Sequence, residues 1–219
     1  MVIWLDIRFF RDKIHISAKF PAKEEPLLER APKERLQQLL DEILNYHCPR
    51  YDQLPAIPLY SEQVIDLLNT YTAPFLPADS ESAITPTMIN NYVKQRLLPP
   101  PVKKRYEQEH VARLYCICIL KHAFSVADIA RLLNIQLQSY PFPVAYDYFC
   151  TEFEQALHAA FSTRDFSGPS RATRVTLESE LVRSTALAAA NQLFAAKSIQ
   201  YYELIKELGA TSVHDAAGK

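Results

Sequence analysis

Apolar positions along the chain fall into helical stripes cut apart by prolines. Residues 1–20 alternate loosely, with Ile3, Leu5, Ile7 and Phe9, then Ile14 and Ile16. That pattern fits either a short strand pair or an unstructured leader. Leu36, Leu39, Leu40, Ile43 and Leu44 form a stripe that predicts a helix from Pro32 to about Tyr46. Ser61 is a candidate cap for a helix with Val64, Ile65, Leu67 and Leu68 inward, ended by Pro74 and Pro77. Thr85 followed by Pro86 is a strong helix start, because proline suits the first helical position. That helix is expected over 85–97, with Pro99, Pro100 and Pro101 as its stop.

The second half has longer segments. Val111, Leu114, Tyr115, Ile117, Cys118, Ile119 and Leu120 make a helix from about Glu107 to Lys121 apolar nearly all round. Such a helix belongs at the centre of a core. Ser125 with Asp128 is a capping signal for a helix ending near Leu133. Residues 144–162 read as a helix with Phe149, Phe153, Ala156, Leu157 and Ala160 on one side. A segment of about 172–208 follows, expected to stop at Gly209 as C-cap. In it Val182, Ala186, Ala189 and Leu193 repeat at spacings near a heptad seam. The whole reads as mainly α, in three parts: a leader (1–31), a domain over 32–139, and a C-terminal helical region (140–219).

Composition removes several function classes. Gly168, Gly209 and Gly218 are the only glycines among 219 residues. Glycine-rich phosphate loops are therefore excluded from residues 1–167, and barrels built on Asn-Gly hairpins are disfavoured. No apolar run reaches the roughly 18 residues a spanning helix needs, and no signal peptide is expected. Cys48, Cys116, Cys118 and Cys150 form no C-x-x-C pair, and the six histidines lack ligand spacing. Reduced, packed thiols in a cytoplasmic protein without metal or cofactor are expected.

The net charge of −1 hides a pattern. Residues 41–84 hold seven acids and one base, whereas 85–121 hold seven bases and two acids. Within the basic block, helical spacing puts Met88, Ile89, Tyr92 and Val93 on one face of the 85–97 helix. Thr87, Asn90, Asn91 and Lys94 fall on the other. Hydroxyl, amide and ammonium groups are the types that pair with base edges and phosphates. Shortly afterwards come Lys103, Lys104, Arg105 and Tyr106, a short basic loop suited to neutralising phosphates. A polar helix followed closely by a basic loop is the layout of a winged helix-turn-helix.

The wording of residues 84–133 resembles the DNA-binding domain of the MerR family. Leu97-Leu98-Pro99, Arg105-Tyr106, Leu114 with Ile117, and Ser125 with Asp128-Ile129 occupy the family's characteristic places. More closely, Leu59 to Leu133 is similar to the bacterial family called domain of unknown function number 1836, whose assigned fold is MerR-like. Its phrases are matched almost verbatim at Thr85–Lys94, Leu97–Tyr106 and Ile117–Lys121. The resemblance implies a transcription regulator with recognition helix 85–97 and basic wing 99–106. DNA contacts would come from Thr85, Thr87, Asn90, Asn91, Lys94, Lys103, Lys104, Arg105 and Tyr106. The chain departs from the MerR pattern where Asn90 and Asn91 replace an arginine and a tyrosine, and where Arg96 replaces a glycine. The wing also lacks its glycine, and Pro99 to Pro101 are expected to make its turn.

Double-stranded DNA and a second copy of the chain are the expected partners, since a two-fold dimer matches a palindromic operator. The alanine-rich stretch 186–190 would let helices approach closely. Tyr140, Phe142, Tyr146, Tyr148, Phe149 and Phe153 are either a small-molecule effector pocket or ordinary packing. An alternative function is a helical protein-interaction module, without DNA binding, that uses the seam 182–208. No enzyme is expected: pairs such as Glu152/Glu154 or His110/Glu109 lack a third group, a glycine loop or metal spacing.

Overall fold

The computed structural model describes residues 38, 40–76, 80, 82–163, 165–166 and 175–216. The expected strand pair of residues 1–20 and the helix start at Pro32 lie outside them. Among the described residues the main helices are α1 (Ser61–Thr72), α2 (Pro86–Lys94), α3 (Gln108–Leu120), α4 (Val126–Ser139), α5 (Phe142–His158) and α6 (Leu177–Ala216). Residues 40–44 are helical as well. A π-helical turn, Ala159–Thr163, extends α5. Among the described residues there are isolated β-bridges and no longer strand.

Every residue of α3 from His110 to Leu120 is buried except Arg113. This is the structural meaning of a helix apolar all round: α1, α4, α5 and α6 all pack on it. One core cluster runs from Ile43 and Val64 through Tyr115 and Ile117 to Phe153, Ala186 and Leu193. It crosses residue 140 without a break.

Caps account for most helix boundaries. The Ser125 hydroxyl accepts from the Asp128 amide at 3.2 Å, and Ser125 is the N-cap of α4. Ser61 is the first residue of α1 rather than its cap; Tyr60 holds that place, and the Gln63 side chain accepts from its amide at 2.9 Å. Two helices outrun their expected ends. α4 continues past Leu133 to Ser139, where Pro141 follows. α6 passes through Gly209 to Ala216, so Gly209 is helix interior and not a C-cap. An interior glycine costs only about 0.5–1 kcal/mol, which a 40-residue helix of good formers absorbs.

The heptad-like seam has an occupant within the chain. Val182, Ala186, Ala189 and Leu193 are all buried, and α5 is the element α6 packs on most extensively. Small residues at 186, 189 and 190 let the two helices come close, which leaves no free seam there for a second copy.

The segment before α1 is stapled to α5. Asp147 and Glu154, two turns apart on one face of α5, accept from the backbone amides of Tyr51 and Cys48 at 2.8 and 2.6 Å. Glu154 also pairs with Arg50 at 2.6 Å. The Tyr146 hydroxyl donates to the Pro49 carbonyl at 2.8 Å. A proline-rich stretch that cannot form its own helix thus has its backbone groups satisfied by side chains of another element.

Candidate nucleic-acid interface

Thr85 caps α2 by accepting from the Met88 amide at 3.3 Å. Helical geometry then separates the two faces as the spacing predicts. Ile89 and Tyr92 are buried, while Met88 and Val93 are half-buried against the core. Thr87, Asn90, Asn91 and Lys94 are all exposed. No side-chain acid lies on α2, so its outward face offers donors, amides and one cation.

α2 ends at Lys94, three residues earlier than expected, through a Schellman turn. The Leu97 amide donates to the Tyr92 carbonyl at 2.9 Å and the Arg96 amide to the Val93 carbonyl at 3.0 Å. The residue just past the helix cap in such a turn is left-handed, and Arg96 takes φ 57°. Here an arginine takes the place that such a turn usually gives to glycine. Leu97 and Leu98 are then turned inward and fully buried, which fixes where the following proline run leaves the core.

The basic loop is a two-residue hairpin. Val102 and Arg105 exchange both backbone hydrogen bonds, at 3.1 and 2.9 Å. Lys103 and Lys104 occupy the central positions with φ 51° and 64°. That is the type I′ arrangement, which usually takes Asn-Gly. The expected turn at Pro99 to Pro101 is therefore corrected: those residues lead into the hairpin, and the two lysines make the bend. Each non-glycine residue held left-handed costs about 1 kcal/mol. Arg96, Lys103 and Lys104, the non-glycine residues of positive φ among those described, are all cationic and exposed.

The base of the hairpin is clamped to the segment before α1. Leu59 and Tyr106 pair through backbone bonds at 2.9 and 2.8 Å. The Arg105 guanidinium lies over the Tyr60 ring at 4.8 Å and donates to its hydroxyl at 3.0 Å. Tyr106 is the exception among the nine expected contact residues. It is buried, with its ring edge-on to His110 at 5.7 Å, and burial pushes its phenol pKa up. It supports the hairpin from beneath and is not placed to meet a phosphate. Sequence reasoning missed Tyr60; an aromatic residue 45 positions from its arginine carries no local signal.

The seven bases of 85–121 divide into two groups. Arg113 pairs with Glu109 at 2.6 Å and covers the Phe142 ring. Lys121 donates to the Ala83 carbonyl, and burial lowers its pKa. Lys94, Arg96, Lys103, Lys104 and Arg105 remain exposed. The charge of this block therefore concentrates on the end of α2 and on the hairpin.

The carboxylate and histidine pairs weighed as catalytic are engaged elsewhere. Glu154 holds Cys48 and Arg50, Glu109 holds Arg113, and His110 Nδ1 accepts from the Glu107 amide at 3.0 Å. All four cysteines are buried and free. Desolvation raises the pKa of Cys48 and Cys116 and pushes Cys118 up to about 12. Among the described residues no three His, Cys, Asp or Glu side chains are grouped to hold a metal, and no helix is long and apolar enough to cross a membrane. Of the aromatic cluster, Phe142, Tyr146 and Phe149 line an apolar cavity of about 50 Å³ between α3, α4, α5 and α6. The same rings pack on one another, with Phe142 and Tyr146 stacked at 6.3 Å and Phe149 and Phe153 at 6.0 Å.

Comparison with curated proteins and with solved structures finds no match. Residues 49–149, from the turn before α1 to the middle of α5 and including α2 and the hairpin, match the family model described as Domain of unknown function (DUF1836).

Proposed function

We propose that the chain is a sequence-specific DNA-binding transcription regulator whose α1, α2 and hairpin act as a MerR-like winged helix-turn-helix. The observation that carries this reading is the hairpin. Two lysines sit where glycine or asparagine would be favoured, so the energetic cost falls on two exposed cations of the block. In the proposal Asn90 and Asn91 on α2 read base edges in the major groove, with Thr87 and Lys94 on bases or phosphates. Thr85 presents the helix N-terminus to a phosphate. Lys103, Lys104 and Arg105 neutralise backbone phosphates beside the groove. Its place of action is the cytoplasm, where reduced thiols are the rule.

The test is binding of the purified protein to DNA from upstream of its own gene, read by fluorescence anisotropy at low salt. Wild type should bind a specific segment more tightly than scrambled DNA. Changing Lys103, Lys104 and Arg105 together to Glu should abolish binding while leaving the melting temperature close to wild type. No specific binding by wild type rejects the reading.

A second reading, a helical protein-interaction module, is favoured by the far part of α6. Ile199 and Tyr202 are 59% and 58% exposed there, beyond the buried seam. A homodimer would use this part of the helix, not Ala186 and Leu193. Light scattering on wild type and on an Ile199→Glu, Tyr202→Glu double variant separates a dimer from a monomer.

A further inference from the structure

A second cavity, also of about 50 Å³, lies where α6 crosses the loop leading from α1 to α2. Its floor is apolar, formed by Leu76, Ile119, Phe153 and Leu193. Its polar groups come from one face of α6, Gln192, Lys197 and Gln200, and from His122 at the end of α3. Lys197 is 7% exposed. Its ammonium donates to the Leu76 carbonyl at 2.8 Å. A neutral carbonyl is a poor counterpart for a buried charge, and an ammonium has three donors. Burial accordingly lowers the Lys197 pKa. The lining contains no Asp or Glu among the described residues. The acid whose field reaches Lys197 is Glu42, which is exposed on the 40–44 turn. His122 is held below its ordinary pKa by partial burial and by the Lys121 ammonium.

We propose that this cavity is a binding site for a short-chain carboxylate, with the carboxylate on Lys197 and the amides of Gln192 and Gln200 and the hydrocarbon tail on Leu76, Ile119, Phe153 and Leu193. The charge of the ligand supplies the anion that Lys197 lacks, and a charge-assisted bond is about twice as strong as a neutral one. The size follows from the volume. A cavity of about 50 Å³ admits only a small ligand, so the hydrocarbon tail is short.

The position gives binding a structural consequence. The ligand would share the Lys197 ammonium with the Leu76 carbonyl. The far end of the same loop is held by Lys121 on the Ala83 carbonyl and by Asn69, which accepts from the Ala83 amide at 2.8 Å and the Ser82 hydroxyl at 3.0 Å. Occupancy therefore changes one anchor of the segment that enters α2. The site itself stands on the cavity and Lys197 and does not require DNA binding.

The experiment is calorimetric titration of the full chain with sodium butyrate and with butyramide, its neutral isostere. Butyrate should bind at least about tenfold more tightly, and Lys197→Met should erase the preference while Lys197→Arg keeps it. In wild type, butyrate should shift the NMR signals of the Ala189 and Ala196 methyl groups and leave Ala127 unmoved. The comparison of the two ligands on wild type needs no variant to fold. Equal affinities, no binding of either, or shifts confined to other residues would overturn the site.

Discussion

The α2–hairpin unit and the α5–α6 pair use unusual sequence in opposite ways. In the first, the odd residues face solvent: cations at left-handed positions, and an exposed amide-rich face. In the second, the odd residues face inward: an alanine run and a heptad-like seam, both consumed by packing within one chain. A seam of period 3.5 says that a helix wants a neighbour, and it does not say whose helix that is. An exposed strained cation carries a different message. Packing sets the backbone bend but does not call for a cation there, and the proposed function supplies the reason for the charge.

The sharpest way to break this contrast is charge reversal in the hairpin. Lys103→Glu, Lys104→Glu and Arg105→Glu together should weaken DNA binding by roughly a thousandfold or more at low salt, with little change in stability. The companion variant, Lys103→Asn with Lys104→Gly, separates charge from backbone. It keeps the type I′ turn in its preferred sequence and should stabilise the fold, while the slope of log affinity against log salt falls by about 1.8. If that variant binds with the wild-type salt slope, the lysines serve the turn and not a phosphate.

In the helical pair, Ala186→Leu forces a large side chain into a fully buried position and should cost about 1–3 kcal/mol in urea unfolding. The oligomeric state should not change, because the seam is internal. A variant that alters self-association without loss of stability contradicts the packing described. Asn90→Ala, on the exposed face, should leave urea unfolding unchanged and relax discrimination at one base pair by about 1–3 kcal/mol. Equal loss on all sequences would move Asn90 to a backbone-contact role.

Arg96→Gly is the smallest effect, a gain of about 1 kcal/mol from relieving the left-handed arginine. Unchanged or lower stability would show that the arginine side chain compensates its backbone. The thiols provide a check on the interior. With Cys118 pushed up to about 12 and all four cysteines buried, native protein at pH 8 should react with a thiol reagent only as fast as it unfolds.

Much of the local structure could be read from the chain. Thr85, Ser125 and the apolar girdle of α3 act through neighbours three or four residues away, and those signals survive without any tertiary knowledge. The end of α2 was less accessible. Arg96 as a left-handed cap is opposed by propensity and holds because Leu97 and Leu98 gain burial on the far side of the turn. The hairpin misled for the same reason: prolines are the louder signal, yet the bend falls where Leu59 and Tyr106 can pair. Gly209 misled in reverse, since one weak residue does not end a 40-residue helix.

The sequence by itself determined the helical class, the exposed Asn90–Asn91–Lys94 face and the concentration of charge after residue 84. All of these depend on periodicity and local chemistry. Only the tertiary structure decided that the alanine seam belongs to α5, that Tyr106 is a buried support, that Tyr60 holds Arg105, and that Lys197 meets the Leu76 carbonyl beside a cavity. Each of those joins residues 15 or more positions apart, and chain-local patterns hold no record of which distant surface will exclude the water.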